Sequence, residues 1–235
     1  MKLIVSFLFV LTQTIFAGVY EINRDHSHLK FSVEYLKSST VEGQFRYFQG
    51  KFQFDTTSQV LSQLNVKITA KTIDTLNQKR DFHLRGHEFL FAAKYPEIIF
   101  TLDKPLTLNK DHWTNTEAQL SLRDKVKKNL PVSVLYKGSV IDPWGKENLF
   151  FELKSSINRK EFDMTWNKIL DQGGLALGED VSIHAVIQAQ VDGASTSFST
   201  HMVPSTKGIV ERDLLKKGSI KKLSTSTDPA DYKAK

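Results

Sequence analysis

Apolar and polar residues alternate along much of the chain. Leu29, Phe31, Val33 and Tyr35 occupy every second position, with polar residues between them. Successive side chains of a β-strand point to opposite faces, so a period of two predicts strands with one apolar face. Turn-forming Gly, Asn, Asp and Pro separate the runs. Nine or ten short strands are predicted, from these runs: Val19–Ile22, Leu29–Tyr35, Val41–Tyr47, Lys51–Asp55, Leu64–Ala70, Ile98–Leu102, Ala118–Leu122, Val132–Val140, Leu149–Ile157 and Val181–Val191.

The alternation slips once, between Phe45 and Phe54. Phe45 and Tyr47 fall on one face, whereas Phe52 and Phe54 fall on the other, with Gly50 between them. A bulge or a sharp bend explains such a slip. Many bent antiparallel strands, each with one apolar face, are satisfied by a closed barrel or by two stacked sheets. The predicted fold class is therefore all-β.

One segment departs from the alternation. The charged stretch Ile73–Pro96 contains Asn77, which can cap a helix that begins at Gln78, and Gly86, which can stop it in a left-handed conformation. We expect a short helical insert near residues 77–92 that covers one end of the β structure.

The two termini differ from the body of the chain. Residues 1–17 have a basic start, an apolar run and a small residue, Ala17, at the end, which is the pattern of a cleaved signal peptide. The apolar run is shorter than the roughly 20 residues that span a bilayer. Residues 193–235 are rich in Ser, Thr, Lys and Gly, which is typical of a disordered tail. The predicted domain therefore spans residues 18–192, and export is expected.

Most of the net positive charge lies in the tail. Residues 193–235 hold eight Lys or Arg and four Asp or Glu, so residues 18–192 are nearly neutral. Nucleic-acid binding by the body is therefore not expected. A basic amphipathic helix over Ile209–Leu223 would allow weak contact with a membrane surface. The sequence leaves homodimer formation open.

Histidines are the main candidates for reactive chemistry. His26 and His28 would share a strand face, and His83 and His87 would lie one turn apart on a continuous helix, which Gly86 makes doubtful. If they bound a metal ion, these four residues would serve a metal-assisted hydrolase, which is one candidate function of the protein. The chain has no cysteine and no Gly-x-Ser-x-Gly motif, so nucleophilic catalysis has no support.

Phenylalanine is abundant. Thirteen of the sixteen Phe residues follow the signal peptide. That aromatic volume fits either a solid core between two sheets or a barrel interior that is lined with Phe, Leu and Val and filled by an apolar ligand. Composition alone leaves both possibilities open.

Several short motifs occur in one order, and together they resemble the YceI family. They are Asp25–Val33, Gly43–Phe45, Phe48–Gly50, Ile73–Thr75, Arg80–Arg85, Phe89, Tyr95–Pro96 with Phe100, and Asn158–Arg159 with Phe162. They run from about Tyr20 to Gln190. The chain departs from the family where Asp163 follows Phe162, because the family commonly has glycine there.

The resemblance implies an extended lipocalin-like antiparallel β-barrel in the bacterial periplasm, which holds a polyisoprenoid or isoprenoid-quinone lipid in an apolar interior. It implies a carrier without catalytic residues, cofactor or metal ion. The helix residues Phe82 and Leu84, with Phe89, are expected to close one end of the barrel. The complete expected lining is Phe31, Val33, Phe45, Phe82, Leu84, Phe89, Phe100, Leu122, Phe162 and Trp166.

Overall fold

The computed structural model of the protein describes residues 17–171 and 173–192. Apart from Ala17, the predicted signal peptide (residues 1–17) lies outside the described residues, as does the predicted tail (residues 193–235). Both stay predictions. In the described part of the chain, no helix is long and apolar enough to cross a membrane.

The described residues form twelve strands, one α-helix and three short 3₁₀ turns. The strands are β1 Gly18–Ile22, β2 His28–Tyr35, β3 Ser39–Phe45, β4 Phe48–Asp55, β5 Val60–Thr69, β6 Ile73–Asp74, β7 Glu97–Thr101, β8 Leu106–Thr107, β9 Trp113–Leu122, β10 Lys125–Ile141, β11 Glu147–Asn158 and β12 Leu177–Val191. Helix α1 spans Gln78–Arg85, and the 3₁₀ turns are Arg24–His26, Ala70–Thr72 and Arg159–Phe162.

Eight of the strands close into an antiparallel barrel. Their order is β1, β4, β5, β7, β9, β10, β11 and β12, and β12 pairs back to β1 with Tyr20 opposite Val191. Closure removes the exposed edges that an open sheet would present. The predicted all-β class and the antiparallel barrel are confirmed, as is the single short helical insert.

Strand β12 changes its partner along its length. Its last residues pair with β1, whereas its first half pairs with β2, where Ile183 lies opposite Phe31. Strand β2 pairs with β3, and β3 pairs with β6, where Phe45 lies opposite Ile73. Because β6 continues β5 through the turn Ala70–Thr72, strands β2 and β3 complete the wall at one end and β1 and β4 at the other. We call these the near end and the far end.

The far end is filled by aromatic side chains. We use the name aromatic cluster for Tyr20, Phe52, Phe54, Tyr136 and Phe151, all of them buried. Their ring centroids lie 4.8–5.8 Å apart in stacked, tilted and edge-on pairs, arrangements that add to the gain from burial.

The slip in alternation has a structural cause. Strands β3 and β4 are separated by a corner at Arg46 and Tyr47, and the pairing of β4 with β5 shifts register between Lys51 and Gln53. The predicted irregularity near Gly50 is thus a corner followed by a bulge. It brings Phe52 and Phe54 into the far end.

Candidate functional site

A cavity of about 560 Å³ lies inside the near end of the barrel. Its size falls within the range of roughly 300–1,000 Å³ that is typical of small-molecule sites. Apolar and aromatic side chains make up most of its wall: Leu29, Phe31, Val33, Tyr35, Val41, Phe45, Ile68, Ile73, Leu84, Phe89, Leu90, Ile98, Leu120, Leu122, Ile157, Met164, Trp166, Leu177, Val181 and Ile183. Such a wall favours a ligand that is apolar over most of its length.

The polar lining residues lie mainly at the exposed side of the cavity. Tyr35, Asn77 and Lys79 line it and are exposed to solvent, and we call the opening that they border the mouth. Arg80 and His83 line it from α1. Among the described residues, no aspartate or glutamate contributes to the wall. Any polar group of a ligand would therefore meet neutral or cationic partners.

A second, smaller cavity of about 120 Å³ lies deeper in the barrel. Four residues line both cavities and so form the partition between them: Leu29, Ile68, Leu120 and Ile183. Phe52 and Phe151 of the aromatic cluster line the deeper cavity. The interior therefore runs from the mouth through two apolar spaces to a solid far end.

Seven of the ten residues expected in the lining border the larger cavity. They are Phe31, Val33, Phe45, Leu84, Phe89, Leu122 and Trp166. Phe100 lines the deeper cavity instead, and Phe162 is 1% exposed within the surrounding core. That any of these residues contacts a ligand stays a prediction.

The expectation that Phe82 closes one end of the barrel is wrong in its placement. Phe82 lies in α1 but is 80% exposed, and it lines neither cavity. The preceding residue, Asp81, is 4% exposed. Consecutive helical residues point about 100° apart, so turning Asp81 inward directs Phe82 into solvent.

Asp81 is buried because it joins α1 to the segment before it. The backbone N–H and the hydroxyl of Thr75 both donate to Asp81 Oδ1, at 2.9 and 2.6 Å. Arg80 donates through Nε to Thr75 Oγ1 at 2.8 Å and through Nη2 to the Thr75 carbonyl at 2.9 Å. This network fixes the helix face that carries Arg80, His83 and Leu84 against the cavity.

The ends of α1 were predicted with different success. Asn77 caps the helix as predicted, because its side chain accepts from the backbone N–H of Arg80 at 3.1 Å. Gly86 ends the helix but is extended, with φ −73° and ψ 175°, so the left-handed stop was wrong. A Cβ on Gly86 would lie 3.0 Å from the carbonyl oxygen of His83, which indicates a close approach of the backbone.

His83 belongs to an aromatic group at the cavity wall. Its ring contacts those of Phe89 and Trp166 edge-on, at centroid distances of 4.9 and 5.0 Å. Its Nε2 lies 2.6 Å from Glu88 Oε2. The rings of Phe89 and Trp166, which pack against His83, also line the cavity. His83 is therefore held in place by packing and by one carboxylate.

The histidines do not form a metal site in the described part of the chain. No group of three or more His, Asp or Glu side chains there could hold a metal ion. His26 lies in a 3₁₀ turn instead of on a strand with His28, and both are exposed. His83 pairs with Glu88, and His87 is exposed beyond the helix end. The structure lends no support to the alternative of a metal-assisted hydrolase.

Sequence reasoning missed the role of Arg159. This guanidinium is 2% exposed and lines the cavity. It donates to the carbonyl oxygens of Gly178 (2.8 Å), Trp166 (2.9 Å) and Met164. Burial lowers the pKa of Arg159. The side chain thereby ties the segment after β11 to the start of β12, and only the isolated motif Asn158–Arg159 marked it in the sequence.

The departure at Asp163 also acquires a structural explanation. Asp163 adopts φ 58°, in the left-handed region, directly after the turn Arg159–Phe162. Glycine is the residue that enters this region without steric cost, and aspartate is among the few others that tolerate it. The backbone therefore makes the turn with either residue.

Comparisons with known proteins agree with this architecture. The YceI-like domain model matches residues 20–189. Protein YceI of Salmonella newport (strain SL254) is 32% identical over 162 residues, which cover 68% of this chain and 83% of the relative. The crystal structure of the Campylobacter jejuni YceI protein is similar at a TM-score of 0.56 and 25% identity, covering 68% of this chain and 90% of that chain.

A more distant structure shares the fold. A polyisoprenoid-binding domain from Saccharophagus degradans, implicated in plant cell wall breakdown, has a TM-score of 0.53 at 13% identity. The likeness covers 74% of this chain and 98% of that domain. At this identity the comparison shows the fold alone.

Proposed function

Because this chain belongs to the YceI-like domain family, we propose that it is a binding protein that holds an isoprenoid lipid in the apolar cavity of its barrel. The observation that carries the proposal is the cavity of about 560 Å³ with its mostly apolar wall. A closed barrel with a hollow near end is suited to hold a long apolar molecule away from water.

The energetics of such a ligand fit this wall. Burial of apolar surface stabilises a complex by about 0.8 kcal/mol per methylene-sized group. A chain of several isoprene units can therefore gain its affinity from length, with few polar contacts. The partition at Leu29, Ile68, Leu120 and Ile183 would then set what length of the isoprenoid chain the larger cavity accepts.

The finer class of ligand is a polyisoprenoid or an isoprenoid quinone. The polyisoprenoid-binding domain of the same fold supports this choice. In this arrangement the isoprenoid chain of the ligand lies among Phe31, Val33 and Phe45, and its head group lies at the mouth beside Asn77 and Lys79. The proposal requires no catalytic residue, cofactor or metal ion, and it makes the protein a carrier.

We place the protein in the periplasm. The support is the pattern of residues 1–17, which is that of a cleaved signal peptide. A carrier in an aqueous compartment between membranes has a physical purpose, because a polyisoprenoid does not dissolve in water. Contact of the tail with a membrane and formation of a homodimer stay predictions.

Organic extraction and mass spectrometry test the proposal. The protein is purified from cells that make isoprenoid lipids, and the extracted lipid is quantified per mole of protein. We expect bound isoprenoid in the native protein and a several-fold loss in Val41→Phe, which places a larger side chain in the cavity wall. Val126→Phe makes the same change at an exposed strand position and is the matched control.

Two results would contradict the proposal. One is native protein without extractable lipid from such cells. The other is equal lipid content in Val41→Phe and the native protein, with thermal unfolding showing that both are folded. A change of melting temperature without loss of lipid would place the bound lipid outside the larger cavity.

A further inference from the structure

Exposed apolar side chains surround the mouth of the cavity. Leu76 is 89% exposed, Ile169 82%, Leu36 44% and Leu175 38%. We call these four residues the rim. Single exposed apolar residues are common, but several around one opening indicate a surface that meets another apolar phase.

Contacts between neighbouring segments place the rim residues around one opening. Leu36 follows Tyr35, which lines the cavity. The backbone N–H of Leu36 donates to the carbonyl of Ala176 at 2.8 Å. Leu175 precedes Ala176 and forms a β-bridge with Ile169. Leu76 immediately precedes Asn77, which also lines the cavity.

Two rim residues are held in a costly backbone conformation. Leu36 has φ 53° and Leu76 has φ 59°, in the left-handed region that bulky residues rarely adopt. The carboxylate of Asp74 accepts from the N–H of Leu76 at 3.0 Å, and this bond together with Arg46 holds the pKa of Asp74 below its usual value. The fold thus fixes an apolar side chain in water, where it gains nothing from packing.

Lysines accompany the apolar rim. Lys37 and Lys168 adjoin rim residues in sequence, and Lys79 lines the mouth. Within the described residues, none of the three lies in an ion pair with a carboxylate. Glu34 and Asp171 occur in the same segments, so the surface has a small net positive charge. Apolar residues flanked by lysines are typical of surfaces that enter the head-group region of a bilayer.

We propose that the rim docks on the surface of a phospholipid bilayer that contains anionic lipid, with the mouth facing the bilayer. This inference rests on the proposed function, because an isoprenoid cargo resides in a membrane before and after transport. Docking lets the isoprenoid chain of the ligand slide between the acyl region of the bilayer and the cavity without exposure to water. The rim supplies the apolar contact, and the lysines supply attraction to the anionic head groups.

Flotation with lipid vesicles tests the docking surface. The full chain is mixed with vesicles of phosphatidylglycerol and phosphatidylcholine, and the bound fraction is measured. The rim variant is Leu76→Gln with Ile169→Gln. The control is Ile141→Gln with Trp144→Gln at the far end, where the two side chains are 71% and 83% exposed. We expect the rim variant to bind at least tenfold more weakly and the control to bind as the native chain does, because burial of one Leu or Ile is worth about a tenfold step.

Several outcomes would overturn the docking proposal: no vesicle binding by the native chain, equal binding by the rim variant, or equal loss in the control. Equal binding by the rim variant would assign vesicle binding to another segment, such as the tail. Lipid extraction from the same samples separates the two proposals. Rim-dependent binding by a protein without extractable lipid would contradict the carrier function and leave docking intact, whereas bound lipid without vesicle binding would do the reverse.

Discussion

The two ends of the barrel share six strands but differ in what fills them. At the far end, rings such as Phe54, Tyr136 and Phe151 pack into the aromatic cluster. At the near end, apolar side chains such as Val33, Phe45 and Val181 line an open space. Strand number sets the radius of a barrel, so the difference lies in how the side chains fill the interior. A single sheet can therefore supply its own solid core at one end and a binding site at the other.

Both ends have support besides the packing of their interiors. At the far end the hydroxyl of Tyr20 donates to Glu147, and at the near end polar anchors lie outside the cavity. Asp81 joins α1 to Thr75, and Arg159 joins the segment after β11 to β12. A cavity cannot be stabilised by contacts across its own empty space, so its wall needs support from behind.

The first way to break this comparison is Phe54→Ala. Phe54 is fully buried and contacts two rings of the aromatic cluster. Its truncation should lower the free energy of unfolding by about 4 kcal/mol, since buried Phe→Ala changes leave a large cavity. Chemical denaturation measures the effect. Phe31→Ala at the near end should cost about 2 kcal/mol or less, because Phe31 already borders an empty space. Equal losses would show that the near end is as tightly packed as the far end.

Arg159→Met tests the polar anchors at the near end. The change keeps much of the apolar volume but leaves the carbonyl groups of Gly178 and Trp166 without their donor. We expect a loss of about 3 kcal/mol, since unpaired buried polar groups are costly. Hydrogen exchange should accelerate in residues 163–177 and not in the aromatic cluster. Lys160→Met is the control, because its solvent-exposed pair with Glu179 should contribute little to stability. Uniform exchange throughout the barrel would contradict a local anchor.

Asn77→Ala should have the smallest effect. It removes the side-chain oxygen that caps α1 and should cost about 1 kcal/mol of stability. Asn77→Ser, which restores a cap, should recover most of the loss. Phe82→Ala in the same helix should change stability by no more than about 0.5 kcal/mol, because the side chain is exposed. A larger loss of stability from Phe82→Ala than from Asn77→Ala would support the prediction that Phe82 closes one end of the barrel. Thermal unfolding measures all three variants.

Period-two alternation predicted most of the barrel, because each strand has one face toward the interior. The prediction fell short where the pattern is weak. Strand β10 begins at Lys125, well before the predicted Val132. The prediction missed this start because the first residues of the strand include three lysines that face solvent at least in part. The two-residue strand β8 is too short to show a period.

The site was predictable in part. Phe31 and Val33 follow from alternation, and other lining residues follow from the family resemblance. Phe82 could not be placed, because an eight-residue helix carries too few apolar positions to reveal its buried face. The buried Asp81 and Arg159 look like surface residues in the sequence. Their partners are backbone and side-chain groups that only the folded chain brings within reach.

The join between β3 and β6 has a consequence for how the molecule opens. Only two residue pairs, Gln44 with Asp74 and Phe45 with Ile73, complete the wall at that point. Strand β1 completes the other end with four pairs to β4 and three to β12. Separation of β3 from β6 would break few ladder hydrogen bonds, together with the Arg46–Asp74 ion pair, and leave the eight-stranded ring intact. We therefore expect this short ladder beside Phe45 to open locally at a lower free-energy cost than the rest of the barrel.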